Sequence, residues 1–410
     1  MRRDGQWLWL LSLMACAGGS ANTTDKPPLP TVHTCTWRDC AESAPSPMCI
    51  DYCTSTTMTR TVPTDAGAPD DASRDSAPVR VSLPPPKPTT LALKTGDDKV
   101  DLELAAGDAA FERGDFALAQ KRYEAARALA PKKAAVSVGL ARVRIAKTGA
   151  PLDYGAAKGN VEIKAAVIDL KRLVTQEPDL GAAQAELGGA LLMLAEADPA
   201  LVALRRAVEL LPQEAEAHSM LGVALVATGH RDLAVASLAK ATELDPGRSA
   251  RHGNYGTVLL LVGRVPEAVK EFELQAQLDD GDARAHSDLG TALLAQNDLV
   301  RATAELERAK TLDPARASYR SNLGYAYQRA NRLPQAIAEY REAIRLDDKL
   351  ADAWTNLGTV LAKDPKTWVD ARAAFEKARA IDPTDPNVKA NLEELDALER
   401  DAKKNSSPKK

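Results

Sequence analysis

The sequence predicts an all-α solenoid of stacked helix pairs, and three observations carry that expectation. A residue pair returns every 34 positions, as Leu187-Gly188, Leu221-Gly222, Tyr255-Gly256, Leu289-Gly290, Leu323-Gly324 and Leu357-Gly358. A fixed period of that length marks stacked units. Twelve residues after five of these glycines stands an alanine (Ala200, Ala234, Ala268, Ala302, Ala336), and four later a bulky apolar residue (Leu204, Leu238, Phe272, Leu306, Tyr340). Prolines that stop helices follow at Pro212, Pro246 and Pro314. Each period therefore reads as two amphipathic helices and a turn. Small residues let the two backbones approach, while the bulky ones supply apolar area that one unit alone cannot bury, so neighbours must stack.

This pattern resembles the tetratricopeptide repeat, whose order of Trp, Leu-Gly, Tyr, Ala, Phe or Tyr, Ala and Pro is met by Ala353-Trp354, Leu357-Gly358, Leu361, Ala371, Phe375, Ala378 and Pro383. The resemblance implies a right-handed superhelix of about eight helix pairs, starting near Val100, Ala134, Gly181, Ala215, Ser249, Ala283, Ala317 and Ala351. The first unit matches through Gly107, Gly114-Asp115, Ala119, Tyr123, Ala126 and Pro131. The second departs: Pro131 to Pro178 is 47 residues, 13 more than the period, with Ala141 and Leu173 at the usual Gly and Ala positions. Its extra stretch, about Thr148 to Asn160, is expected to bulge from the helix-helix turn. The last unit carries an extra residue near Asp364-Pro365, and Gln275, Asp280 and Asp348 replace small or proline positions.

The predicted organisation is an array over 99–383, a capping helix over 384–404 and a disordered tail over 405–410. In the cap, Val388, Leu392, Leu395 and Leu398 share one face, with Glu393, Glu394, Glu399 and Lys403 elsewhere; a polar-backed terminal helix suits a solenoid end. A length of 410 residues would ordinarily suggest two or three domains, but a solenoid lengthens without a new core. The net charge of −4 and the lack of a basic stripe with interleaved aromatics argue against a nucleic-acid partner.

Residues 1–16 read as an export signal: Arg2-Arg3, an apolar stretch from Trp7 to Ala15, then small residues, too short to span a membrane. Leu13-Met14-Ala15-Cys16 resembles a bacterial lipobox, which implies acylation of Cys16 and, with Ala17 following, an outer-membrane lipoprotein facing the periplasm. The alternative, cleavage after Ala17, would release a soluble protein. Residues 17–53 hold the other four cysteines, Cys35, Cys40, Cys49 and Cys53, and the repeats hold none. An even set in an exported segment points to two disulfides, with three connectivities open; helical spacing of Cys49 and Cys53 would pair them with Cys40 and Cys35. A tetrathiolate zinc site lacks its close Cys-x-x-Cys pairs, so no metal is expected. Residues 54–98, rich in Pro, Thr, Ala, Asp and Ser, read as a disordered linker spanning about 40 Å as a coil and up to roughly 140 Å as polyproline II.

No nucleophile elbow, phosphate loop or metalloprotease helix is present, and no catalytic residue or cofactor is expected. His218, His252 and His286 stand one period apart. They occupy the position of Trp354 on successive first helices, whose axes lie about 8–10 Å apart, so convergence on one ion with bonds near 2 Å is not expected.

The expected site is the concave groove, where the resemblance implies binding of an extended peptide or a partner helix. The position before each Leu-Gly pair holds Asn254, Asp288, Asn322 and Asn356, after Glu186 and Met220. A side-chain amide both donates and accepts, so spaced asparagines can hold a peptide backbone without reading its sequence. Arg284, Thr291, Ser318, Ser321, Tyr325, Gln328, Arg329 and Lys363 are further candidates, while Ala185, Leu192, Val223, Val226 and Leu260 offer an apolar stretch suited to a helix. The Lys and Asn pair that clamps a terminal carboxylate in chaperone adaptors is missing, with Ser321 and Tyr325 in its places. The functional expectation is a non-enzymatic, protein-binding scaffold that helps assemble a cell-envelope complex of secretion, pilus or motility type. The alternative makes the cysteine-rich segment a glycan or receptor binder with the array as spacer.

Overall fold

A computed structural model describes residues 83–406 as seventeen α-helices and one short 3-10 turn, with no strand among the described residues. Residues 1–82 and 407–410, with Cys16, Cys35, Cys40, Cys49 and Cys53, lie outside the described residues. Eight helix pairs follow one another. They are α1 (Asp98–Glu112) with α2 (Phe116–Leu129), α3 (Ala134–Lys147) with α4 (Val161–Gln176), α5 (Gly181–Met193) with α6 (Ala197–Leu210), and α7 (Ala215–Ala227) with α8 (Arg231–Leu244). Then come α9 (Ser249–Leu261) with α10 (Val265–Leu278), α11 (Ala283–Ala295) with α12 (Leu299–Leu312), α13 (Ala317–Arg329) with α14 (Leu333–Leu346), and α15 (Ala351–Leu361) with α16 (Trp368–Ile381). The helix α17 (Pro386–Ser406) closes the array; Val388 and Leu395 are fully buried, while Leu398 is exposed.

Each helix packs on the next, and each first helix also packs on the first helix of the following pair. No comparable contact joins the second helices. Closer spacing along the first helices curves the solenoid and puts them on its concave face.

The 34-residue period has a local cause at three points. Each repeat glycine makes room for one bulky side chain: a Cβ at Gly290 would stand 2.6 Å from Leu306 Cγ, and one at Gly358 would stand 2.6 Å from the Phe375 ring. Full burial of each such side chain is worth about 1.5–3 kcal/mol. In six of the eight pairs the inner turn has a left-handed residue in register, Gly114, Ala195, Gly229, Gly263, Asn297 and Asn331, with φ between 56° and 81°. Gly and Asn suit that region and Ala does not. The turn between pairs is held by a side-chain donor that reaches back six residues to a carbonyl: Gln184 to Pro178, His218 to Pro212, His252 to Pro246, His286 to Asp280, Arg320 to Pro314 and Trp354 to Asp348, at 2.8 to 3.3 Å. The periodic histidines are thus turn locks. The extra residue of the last unit is absorbed by a 3-10 turn, Pro365–Thr367.

The extra stretch of the second unit does connect α3 and α4, but it folds back instead of bulging. Gly155 and Ala157 donate to the carbonyls of Leu192 and Met193 at 2.9 Å, and Tyr154 Oη donates to Ala195 O at 3.3 Å. These bonds add partners to carbonyls at the end of α5 and in its turn, where Leu192 O also accepts from Ala195 N at 3.0 Å.

The linker expectation also fails over its last residues. Residues 83–97 are non-helical as expected up to Asp97, but they lie along the concave face, and Leu91 and Leu93 are buried in the core. Two leucines one residue apart bury enough apolar area, about 1.5–3 kcal/mol each, to hold an otherwise polar, proline-rich stretch in place. Asp101 fixes the corner into α1, accepting from Thr95 N at 2.6 Å, Thr95 Oγ1 at 2.7 Å and Gly96 N at 3.1 Å; chiefly the Thr95 hydroxyl holds its pKa below the usual value, against the opposing pull of desolvation.

Candidate functional site

The concave face divides into a filled half and an open half. In the filled half, residues 83–93 run antiparallel to the array, from the α8–α9 turn back to α1. The Lys87 N–H donates to Asp245 Oδ1 at 2.9 Å and the Lys87 carbonyl accepts from Arg248. The Leu91 carbonyl accepts from Arg142 Nη2 at 3.0 Å, and the Leu93 N–H donates to Asp108 Oδ2 at 3.1 Å. The Thr90 N–H donates to Glu112. The Pro84 carbonyl passes over Gly247, where it occupies the space a Cβ would need.

Two buried arginines organise these contacts. Arg142, 3% exposed, pairs with Asp108 Oδ1 at 2.7 Å and Glu186 Oε1 at 2.5 Å, tying the first helices of units one, two and three. Burial pushes the Asp108 carboxyl up, although Arg142 and the Tyr123 hydroxyl oppose it. Arg251, also 3% exposed, donates to Asp245 Oδ2 at 3.0 Å and to Ala215 O at 3.2 Å, and stands 3.4 Å from Glu216. Burial alone would raise Asp245, 1% exposed, but the Lys87 amide and the guanidiniums of Arg251 and Arg248 hold it below the usual range. Around α9 the apolar core is also interrupted, with Arg251, His252, Asn254, Thr257 and Gln275 buried between its two clusters.

The open half is a cavity of about 1100 Å³ bounded by α11, α13, α15 and α17. Its lining is rich in hydroxyls and amides, among them Ser287, Ser321, Asn322, Asn356, Thr359 and Asn391. Asn322 Nδ2 donates to Ser287 Oγ at 3.4 Å and Asn391 Nδ2 to Thr359 Oγ1 at 3.5 Å, long bonds that leave most amide capacity unused. Arg284 Nε lies 3.4 Å from Asp288 Oδ2. Burial nevertheless pushes Asp288 up to about 6, with Asp282 adding to the rise. The Arg329 guanidinium stacks 5.9 Å over Tyr325, which is 36% exposed, and donates to Asn297 Oδ1 at 2.9 Å. Asp352 is raised by burial and by Asp385 and Asp382 nearby.

Of the groove residues expected from the sequence, Asp288, Asn322, Asn356, Arg284, Ser321, Tyr325 and Arg329 line this cavity together, as do Thr291 and Ser318. Asn254 does not; it is buried on α9. Gln328 turns the other way, its Oε1 accepting from Tyr340 Oη at 2.8 Å against α14. The expected apolar stretch is not an open surface: Ala185, Leu192, Val223 and Val226 are all buried. Sequence reasoning missed Asn387 and Asn391, which bring α17 into the cavity wall; their spacing of four residues on a helix face read only as a cap was the signal. It also missed Arg142 and Asp245, for which the Leu-x-Leu of Leu91 and Leu93 inside a polar linker was the only hint.

Both ring nitrogens of His252 and His286 are engaged, with Nδ1 at 2.7 Å from Glu271 and Glu305 respectively. Among the described residues no group of three or more His, Cys, Asp or Glu is placed to hold a metal ion, and no helix is long and apolar enough to cross a membrane.

A tetratricopeptide repeat model matches residues 104–147, 219–283, 256–317 and 321–386, together a little over half of the chain. No curated protein matches it. Among solved structures, the fold is similar to one in the APC/C hetero-tetramer Cut9-Hcn1, with a TM-score of 0.53 and 17% identity, over 72% of this chain and 55% of that one. This chain thus spans little more than half the length of that relative. YrrB, described as a tetratricopeptide repeat protein with an unusual peptide-binding site, is 22% identical over 46% of this chain and 97% of its own, with a TM-score of 0.37. The C-terminal part of a repeat protein from Cytophaga hutchinsonii is 19% identical over 56% of this chain and 94% of its own, with a TM-score of 0.43.

Proposed function

The chain belongs to the tetratricopeptide repeat family, whose members are typically protein–protein interaction scaffolds, and on that premise we propose that it binds an extended segment of a partner protein in the open half of its concave face. The observation that carries this reading is the cavity itself, about 1100 Å³ and lined by amides and hydroxyls with spare donors and acceptors. Asn322 and Asn356, one period apart, hold the peptide main chain, and Tyr325 with Arg329 supplies a flat apolar and cationic surface beside it. Asp288 and Asp352 favour a segment carrying positive charge. The chain acts as a non-enzymatic scaffold in a cell-envelope complex, exported and anchored through Cys16.

A photo-crosslinker placed at Tyr325 in intact cells tests the binding. A specific partner should be captured by the wild-type chain and lost from Asn322→Ala/Asn356→Ala at unchanged melting temperature. Capture that is indifferent to both changes would remove the cavity from the mechanism. Anchoring is tested separately by Cys16→Ser, which should move the chain from the membrane to the soluble fraction.

A further inference from the structure

Residues 83–93 display the features of a ligand bound in a groove. They are non-helical, with a bend at Thr89 and Thr90, and their polar contacts with the array are made almost entirely through the main chain: the N–H groups of Lys87, Thr90 and Leu93 and the carbonyls of Lys87 and Leu91. Only Thr89 Oγ1 adds a side-chain bond, to Glu112 at 3.2 Å. Specificity rests on two leucines, Leu91 and Leu93, buried two positions apart.

All but Glu112 of the groups that grip this segment are also bonded within the array. Arg142 is braced by Asp108 and Glu186, and Arg251 by Asp245, Glu216 and the Ala215 carbonyl. What the segment takes up are spare valences on already ordered side chains, namely Asp245 Oδ1, Arg142 Nη2 and Asp108 Oδ2. A preorganised site of this kind loses little order when its occupant leaves. The segment joins α1 through a non-helical corner at Thr95 and Gly96, the latter with φ 82°, so no helix need unwind for it to depart.

We propose that residues 83–93 are a displaceable self-ligand that closes the concave face from α1 to α9, and that an extended partner segment with leucines two positions apart takes their place. Because the chain holds its own segment at the high effective concentration of an intramolecular contact, the partner segment must bind the groove more tightly than residues 83–93 do. This site is distinct from the open cavity and does not depend on it.

The test uses the full-length chain and a fluorescein-labelled peptide of residues 81–95. Hydrogen exchange of the unmodified protein should show the Lys87 and Leu93 amides opening at least tenfold faster than those of α3, because the segment leaves without global unfolding. Anisotropy should show the peptide binding Leu91→Ser/Leu93→Ser at least tenfold more tightly than wild type, since the variant's own segment no longer competes. The milder Lys87→Pro, which removes one donor and leaves the core intact, should give a smaller gain in the same direction. Amides that exchange only with global unfolding would make the segment a permanent part of the core and overturn the proposal. So would a folded Leu91→Ser/Leu93→Ser chain that ignores the peptide. Dimerisation of the wild type by exchange of segments would assign the site to a second copy and overturn the partner reading.

Discussion

Arg142 Nη2 donates to the Leu91 carbonyl at 3.0 Å, and through that bond a stretch outside the repeats becomes part of the buried structure. The same guanidinium pairs with Asp108 and Glu186, so one side chain joins three successive units to the segment that precedes them.

Arg142→Met should therefore destabilise the protein by about 3–5 kcal/mol, the range for leaving buried charges without their partner. Urea denaturation checks the size. Arg142→Lys should recover only part of the loss, because one ammonium cannot serve Asp108, Glu186 and the Leu91 carbonyl in the geometry of a guanidinium. A neutral Arg142→Met would mean the cluster contributes no net stability.

Stability should fall as pH rises from about 4 to 7. Asp288 is raised from its usual 3.8 to about 6 by burial, so the folded chain holds that proton more tightly than the unfolded one. Its contribution is complete below about pH 4 and is lost as pH passes through 6, a loss of order 2–3 kcal/mol at about 1.4 kcal/mol per unit. His286 acts in the same direction. Burial pulls it down, but its bonds to Glu305 and the Asp280 carbonyl outweigh this and the nearby Arg308, and raise it; that stabilisation is present below its usual value of 6.5 and lost above its raised one. Carboxylates held below their usual values, such as Asp101 and Asp245, reverse the trend only below about pH 4. Asp288→Asn should flatten the curve between about pH 4 and 6 and raise the melting temperature at pH 8. An unchanged profile would show that the Asp288 charge is better solvated than its burial implies.

Gly290→Ala should cost about 1–3 kcal/mol, because its Cβ would lie 2.6 Å from Leu306 Cγ and 3.2 Å from the Ala302 carbonyl. Gly281→Ala, whose nearest neighbour would be Asp279 Oδ1 at 3.6 Å, should stay within about 0.5 kcal/mol of wild type. Equal effects in thermal denaturation would contradict the packing assigned to the repeat glycine.

Ala195→Gly should stabilise by about 0.5–1 kcal/mol. Ala195 holds φ 64° where the equivalent positions carry Gly229, Gly263, Asn297 and Asn331, and the strain relieved exceeds the extra chain entropy of glycine. Gly229→Ala should lose a comparable amount. Differential scanning calorimetry of the two reads both signs in one comparison.

The fold was legible because its determinants are local and repeated. Gly290 with Leu306 and Gly358 with Phe375 each report one helix pair, and a period carried by such pairs survives the departures at Gln275 or Asp348. The open half of the groove was legible for the same reason: Asp288, Asn322 and Asn356 share a register, so helical geometry alone puts them on one face. Asn254 has that register too, yet it does not line the cavity, which is bounded by α11, α13, α15 and α17 and ends short of α9.

Sequence by itself determined the helix pairs, their order and which helix of each pair faces inward, because each depends on contacts within about one period. Tertiary structure alone decided which parts of the concave face stay open. That outcome rests on contacts across separations longer than one period: Lys87 with Asp245 and Leu91 with Arg142. Such pairs leave no periodic trace, since each occurs once and joins residues whose nearness is created only by the curvature of the stacked array.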